Sequence, residues 1–462
     1  MRKLFLFLIL LLPLKSIFGQ ITFSDQRYFE LVVNNHPLAK QANLKPEYGK
    51  YSVLKAKGGF DPKLENQLNQ KYYNSSNYYS FLNAGLKIPT WYGIEVKTGF
   101  EMNRGAYLSP ELKTPAGGLW YGGVSVNLGE GLFIDQRRAE LFKARIYQNS
   151  SLFEQRLQLN ELLYEAGYAY WNWVLAYHSV EIMEESYELA NERYEGIRRT
   201  AEVGDRPGID SVEAIIQVQN RETLLRNYQT DFKNSGFNLA TYLWTENLEP
   251  LELDSATVPV PIDSVALETD LLIPEYTMDS LVLNHPYLQI NNYKIQSLEV
   301  DNRLKREQLK PDLAVNYNFL NEPVNNNPFN DFSINNYKWG LTFEMPILLR
   351  KERGDVAISN LKIQDEKFNL QNNQAYIEFK IRKAMADLSN CFIQIDIYQQ
   401  TVDNSGKLLE AEKNMFDAGE SSLFLINQRE IAFIQARLKL IESQVKLQQA
   451  KLSMSYAAAG LY

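Results

Sequence analysis

Helical periodicity dominates the last quarter of the chain. From residue 347 to the C-terminus there is no proline, and only Gly354, Gly406, Gly419 and Gly460 interrupt a helix-forming composition. Proline in a helix interior costs about 3 kcal/mol and glycine about 1 kcal/mol, so the stretch reads as one very long helix or a long helical hairpin. Asp-Ala-Gly-Glu-Ser-Ser at 417–422 favours the hairpin, because it is the strongest cluster of turn residues there. In the returning arm Ile431, Ile434, Leu438, Ile441, Val445 and Leu452 follow three- and four-residue steps along one face. A second apolar row, Phe433, Leu440, Leu447 and Met454, lies nearly opposite. Two seams predict two neighbours. Two polar rows run between them: Glu430, Arg437, Gln444 and Lys451 on one side, and Ala432, Lys439, Lys446 and Ser453 on the other. A helix with opposed seams and two wet faces suits the wall of a hollow cylinder; an ordinary bundle helix with a wide apolar face would show a similar pattern.

Period-two alternation marks other segments. Leu313, Val315, Tyr317 and Phe319 alternate with Asp312, Ala314, Asn316 and Asn318, and Tyr337, Trp339, Leu341, Phe343 and Met345 alternate with Lys338, Gly340, Thr342 and Glu344. Ile94, Val96, Phe100 and Met102 alternate with Glu95, Lys97, Gly99 and Glu101. One apolar and one polar face fit a soluble, half-buried strand pair. They fit equally a lipid-facing barrel wall, for which Tyr72-Tyr73, Tyr78-Tyr79, Trp91-Tyr92 and Trp120-Tyr121 supply an interfacial aromatic belt.

The two halves of the chain repeat each other. Asn35-His36-Pro37 recurs as Asn284-His285-Pro286, and Pro62-Lys63-Leu64 as Pro311-Asp312-Leu313, both at an offset of 249. Val124-Ser125-Val126-Asn127-Leu128 matches Leu341-Thr342-Phe343-Glu344-Met345 at an offset of 217, so the first half carries 32 additional residues between Leu64 and Val124. These accommodate an extra hairpin at about 80–103. Near the hairpin turns the offset is 215, pairing Gly204 with Gly419. Duplication over this length implies one structural unit used twice. Each unit begins with a helix at Pro37 or Pro286, a favoured first position because the missing N–H would be unpaired anyway. His36 and His285, two of the three histidines, therefore sit near a cap, which argues against a metal or catalytic role.

The organisation that follows is a first repeat over 21–248, with strands at about 60–128 and a long helical hairpin at about 139–246 whose tip is 203–209. A Pro-, Asp- and Leu-rich linker spans 249–275. The second repeat covers 276–462, with strands at about 311–346 and a hairpin at about 356–459 whose tip is 417–423. Residues 1–20 combine Arg2-Lys3, an apolar run from Leu4 to Leu14, and the small residues Ser16 and Gly19. The run is too short for a helical span and reads as a secretory signal.

Composition narrows the function. A net charge of −8 argues against nucleic acid, and a mean hydropathy of −0.34 leaves any membrane-crossing part to β-strands. The single cysteine, Cys391, excludes an internal disulfide and a cysteine-based zinc site, and reads as a small core residue. With no phosphate loop, metal cluster or nucleophile arrangement, neither an enzyme nor a cofactor is expected.

The order of signal, helix, strand pair and long hairpin, taken twice, resembles the TolC family of outer-membrane efflux proteins over essentially the whole mature chain. The most specific residues are the turns, Val203-Gly204 through Ile209-Asp210-Ser211-Val212 and Ala418-Gly419 through Leu425-Ile426-Asn427. The resemblance implies an α+β membrane protein: a homotrimer whose chains each give four strands to one β-barrel in the outer membrane of a Gram-negative bacterium, continuous with a periplasmic α-helical barrel. It also implies a passive exit duct of a tripartite efflux or type I secretion system, with outer-membrane lipid, a periplasmic adaptor and an inner-membrane transporter as partners. The extra hairpin departs from the family's strand count. At the hairpin tips Gly204, Asp205, Gly208, Gly419, Glu420 and Ser421 would receive the adaptor. The family's constriction carries acidic side chains. The second turn holds Leu425 and Gln428 at those positions, whereas the first holds Asp210 and Glu213 with Arg206 nearby. Asp210 as a plain helix cap is the competing reading, and an exported helical scaffold without a pore is the competing function.

Overall fold

The computed structural model describes residues 21–254, 256–262, 275–323 and 333–462. The expected signal at 1–20 and most of the second half of the expected linker lie outside the described residues. In chain order the elements are β1 (Ile21–Phe23), α1 (Asp25–Asn35), α2 (Pro37–Asn43), α3 (Lys45–Lys57), β2 (Lys63–Tyr73), β3 (Ser76–Pro89), β4 (Ile94–Arg104), β5 (Leu119–Asn127), α4 (Gln136–Glu202) and α5 (Gly208–Ala240). They continue with β6 (Thr257–Pro259), α6 (Glu275–Leu283), α7 (Pro286–Glu307), β7 (Asp312–Asn321), β8 (Tyr337–Glu344), α8 (Arg350–Asp417) and α9 (Leu423–Ala457). The chain divides into two compact units. One comprises the described residues of Met1–Gln41, Gln158–Met278 and Phe379–Tyr462; the other is Ala42–Leu157 with Asp279–Glu378.

The second of these units holds a six-stranded sheet in the order β2-β3-β4-β5-β7-β8, with every neighbouring pair antiparallel. This corrects the expected four strands per chain. The additional residues of the first half form β3 and much of β4, and these sit inside the ladder between β2 and β5 rather than beside it. The β2–β3 turn uses Asn74 and Ser75 at φ of 52° and 59°, the left-handed pair that a two-residue hairpin needs to match strand twist. Near the start of α4 and the end of α7, Ile134, Ala139, Val300 and Leu304 form an apolar cluster. Lys143 pairs with Asp301 at 2.8 Å and Lys305 with Asp355 at 3.1 Å, tying α7 to the neighbouring parts of α4 and α8. The helix expected from Pro37 stops at Asn43 and restarts at Lys45, because Pro46 removes a backbone donor and disfavours continuous helix before it.

The other unit is built on α5, α9 and the parts of α4 and α8 from Gln158 and Phe379 onward. Tyr28, Tyr170 and Trp173 are buried together, and the Tyr170 hydroxyl donates to the Phe23 carbonyl at 2.8 Å. At Gly167 a Cβ would lie 2.6 Å from the Leu452 side chain and 3.1 Å from the Phe29 ring, so glycine there permits close helix packing. β1 and β6 pair in parallel, which gives the expected linker a strand that its sequence does not advertise. Helices α1 and α6 precede the prolines at which each repeat was expected to begin its first helix. His36 and His285 do serve the local backbone: each Nδ1 accepts from the N–H two residues on, at 3.1 and 3.2 Å. Cys391 is half-buried and packs against the cluster of Leu388, Leu447 and Ala450. Among the described residues no helix is long and apolar enough to cross a membrane.

Candidate functional site

Strand register assigns each side chain of the sheet to a face, since neighbours along a strand point to opposite sides. Leu64, Leu86, Thr98, Gly122, Phe319 and Tyr337 form one continuous row across all six strands. A second row on that face runs Ile88, Val96, Val124, Tyr317 and Trp339. Much of this face is exposed: Leu64 is 84% exposed, Trp339 62%, and Phe343 of the same face 65%. Leaving them in water would expose a contiguous apolar surface of the kind that marks a membrane or partner interface.

The opposite face is polar. Tyr121 lies across it, with its hydroxyl donating to Asn83 at 3.0 Å. A Cβ on Gly85 or Gly99 would meet that hydroxyl at 2.5 or 2.6 Å, so the two glycines form the bed for the ring and fasten β3, β4 and β5 together. Glu95 takes Lys87 at 3.0 Å and Arg137 at 3.1 Å, joining this face to the start of α4.

In the helical unit the two hairpin turns close alike. Gly204 and Gly419 have φ of 85° and 78°, which glycine adopts without the penalty carried by other residues. The N–H of Asp205 reaches the Thr200 carbonyl at 3.0 Å and that of Gly204 reaches Ala201 at 3.2 Å. Glu420 reaches Met415 at 2.8 Å and Gly419 reaches Phe416 at 3.0 Å. Both are Schellman closures, which satisfy helix-end carbonyls that would otherwise be unpaired. Asp205, Gly208 and Glu420 are exposed, while Ser421 bonds back to the buried Glu412.

The expected constriction residues are distributed unevenly. Glu213 accepts from Asn427 of α9 at 3.2 Å. Arg206 stacks on the Phe416 ring at 4.2 Å, linking the two hairpins. Asp210 lies in the first turn of α5, whose N-cap is Pro207 without a side-chain cap; it favours the helix through the dipole rather than as the cap. Leu425 and Gln428 are exposed.

The helical tips also hold a charge cluster that periodicity did not reveal. Glu430 is 2% exposed and receives Arg193 at 2.7 and 2.8 Å and Arg221 at 2.7 Å. Arg221 also donates to Ser186, and Arg193 reaches Asn427 at 3.3 Å. The network thus joins α4, α5 and α9. It is flanked by the cluster of Ile197, Ala214 and Leu423 on one side and that of Ile182, Met183, Leu225 and Ile434 on the other. This corrects the expectation that the row beginning at Glu430 is wet: two guanidinium groups from other helices compensate the carboxylate and allow its burial. Burial alone would raise the Glu430 pKa, but the Arg193 hydrogen bonds and the charges of Arg193, Arg221 and Lys413 outweigh it and hold the carboxyl below its ordinary range. Nothing local in the sequence marks this cluster, because its members come together from positions more than 200 residues apart.

No family model matches the chain, and no curated protein does. Solved structures do. The open state of the MtrE outer-membrane channel of Neisseria gonorrhoeae aligns over 94% of this chain and 89% of its own, with a TM-score of 0.71 at 13% identity. A structure of CusC, described in terms of transmembrane channel formation, aligns over 94% and 91% with a TM-score of 0.70 at 14% identity. The CmeC outer-membrane channel of Campylobacter jejuni aligns over 94% and 85% with a TM-score of 0.66 at 15% identity. The chain has the TolC-type fold of outer-membrane channels.

Proposed function

We propose that this chain is the outer-membrane exit channel of a tripartite efflux or type I secretion system, through which solute delivered by an inner-membrane transporter leaves the cell. The observation that carries this reading is the six-stranded sheet, apolar and exposed on one face and polar on the other. Its edge strands β2 and β8 have no further partner within the sheet, and open edges are not tolerated in hydrocarbon. Closure by three copies, β8 of one against β2 of the next, removes every edge. The duplicated order of helices and strands supports the same assembly. Because each chain carries six strands, the trimer has an eighteen-stranded wall in place of twelve. With strands about 4.8 Å apart and tilted about 40°, such a wall is about 36 Å across between backbones, against about 24 Å for twelve strands.

In this assembly the long helices form the periplasmic duct and their tips its mouth. Asp210 and Glu213 line the constriction with Arg206, and Leu425 and Gln428 make its second half partly apolar. Gly204, Asp205, Gly208, Gly419, Glu420 and Ser421 meet the adaptor. Cell fractionation tests the reading. Detergent-extracted, heat-modifiable trimers in the outer-membrane fraction support it, whereas a soluble periplasmic monomer would indicate the exported scaffold instead.

A further inference from the structure

The polar face of the sheet carries a row that the channel reading does not by itself explain. Lys63 pairs in register with Lys87, Lys87 with Lys97, Lys97 with Gly123, Gly123 with Asn318, and Asn318 with Lys338. Four of six positions at one level are lysines, and three of them stand directly opposite one another on adjacent strands. Like charges so placed destabilise a sheet. Among the described residues only Lys87 of the four has a carboxylate in ion-pair contact, Glu95 at 3.0 Å. The rows on either side do not cancel the charge: one offers Glu65 followed by Gly85, Gly99, Tyr121 and Leu320, the other Glu95 followed by Ser125, Asn316 and Gly340. Two of the four lysines, Lys87 and Lys97, belong to the inserted strands β3 and β4, so the same insertion that widens the wall also charges it.

We infer that this lysine row is an anion-binding band on the inner surface of the wall, taking polyanionic solutes such as sulfated or phosphorylated polymers on their way out. The inference rests on the channel reading, because it needs the polar face to line the bore. Ammonium groups held by strands attract such solutes as point charges, without requiring one ligand geometry. Rings of lysine or arginine are a general means of favouring anions in a pore. Three copies place twelve lysines around the bore, and their field is strongest at low ionic strength.

The test uses purified trimers in planar bilayers with a short dextran sulfate added on the side of the β2–β3 turn, and neutral dextran of equal length as the control. Dextran sulfate is expected to block the current at far lower concentration than neutral dextran, with a block that weakens as salt is raised. In Lys63→Gln/Lys97→Gln/Lys338→Gln the half-blocking concentration rises by about tenfold or more, while the response to neutral dextran stays the same. Lys63→Gln and Lys97→Gln alone, which perturb assembly less, each give part of that rise, and replacement of all three lysines by arginine preserves the block. Equal block by sulfated and neutral dextran in wild-type channels, or an unchanged half-blocking concentration in the glutamine variants, overturns the anion band and leaves the channel reading standing. Failure of wild-type trimers to conduct at all counts against the channel reading instead.

Discussion

Glu430→Gln isolates the buried charge at the helical tips with almost no change of shape. Wild-type Glu430 holds three charge-assisted hydrogen bonds of 2.7 to 2.8 Å, from Arg193 and Arg221. Glutamine keeps one acceptor oxygen, presents an N–H₂ toward a guanidinium, and leaves Arg221, 4% exposed, without its counter-charge. Removing one partner of a buried ion pair costs about 3–5 kcal/mol. Arg193 is partly open to solvent, with a side chain 17% exposed, so the lower end of that range applies. At about 1.4 kcal/mol per decade, a loss of about 3 kcal/mol accelerates local opening about 100-fold. Hydrogen–deuterium exchange of detergent-held trimers reads this directly, with the acceleration confined to amides around 186–193, 214–221 and 427–434. The paired replacement Glu430→Met/Arg221→Met, which removes both deeply buried charges, recovers most of the protection. Exchange within threefold of wild type in Glu430→Gln would refute the claim that this cluster holds α4, α5 and α9 together.

Acid provides a second probe of the cluster. Glu430 has a lowered pKa in the folded state, so its stabilisation is present above the unfolded value and is lost as pH falls through the folded one. Spin-label distances between positions 205 and 420, in a Cys391→Ser background, should stay constant from neutral pH into mild acid and broaden only once the pH has fallen below the ordinary glutamate range. On the sheet, Val124→Arg places a cation on the apolar face and should cost about 2–4 kcal/mol, seen as loss of the heat-modifiable trimer band. Ser125→Arg, one residue on and facing the polar side beside Glu95, should leave that band intact. Gly85→Ala drives a Cβ to within 2.5 Å of the Tyr121 hydroxyl and should lower the dissociation temperature of the trimer through about 1–3 kcal/mol of overpacking. Tyr121→Phe removes the clashing atom, so the double variant should melt close to Tyr121→Phe alone.

Backbone-level features of this fold are legible in the sequence, and partner choice is not. The long helices show themselves because proline is absent from their interiors and glycine is rare there, and the hairpin reversals because Gly204 and Gly419 stand in clusters of turn residues. The two faces of β7 and β8 follow from strict alternation. By contrast, nothing local places β5 beside β7, which lies in the other half of the chain, or says that β3 and β4 enter the ladder between β2 and β5. Pairing order is a tertiary choice made by complementary edges and the geometry of connections. The parallel pairing of β1 with β6 is hidden for the same reason, as each strand is only three residues long. At the tips, a polar row repeating every seven residues looks identical whether it meets water or a guanidinium from another helix. Glu430 therefore reads as a wet position until Arg193 and Arg221 are seen around it. The lysine row needs the register of five ladders before its members can be recognised as neighbours.

Single-channel recording from purified trimers in planar bilayers tests the central claim most directly. Discrete conductance steps are expected from wild-type protein, with an altered cation selectivity in Asp210→Ala/Glu213→Ala, whose lost carboxylates are those proposed to line the constriction. Trimers that insert but produce no discrete steps, in either the wild type or this variant, would contradict it.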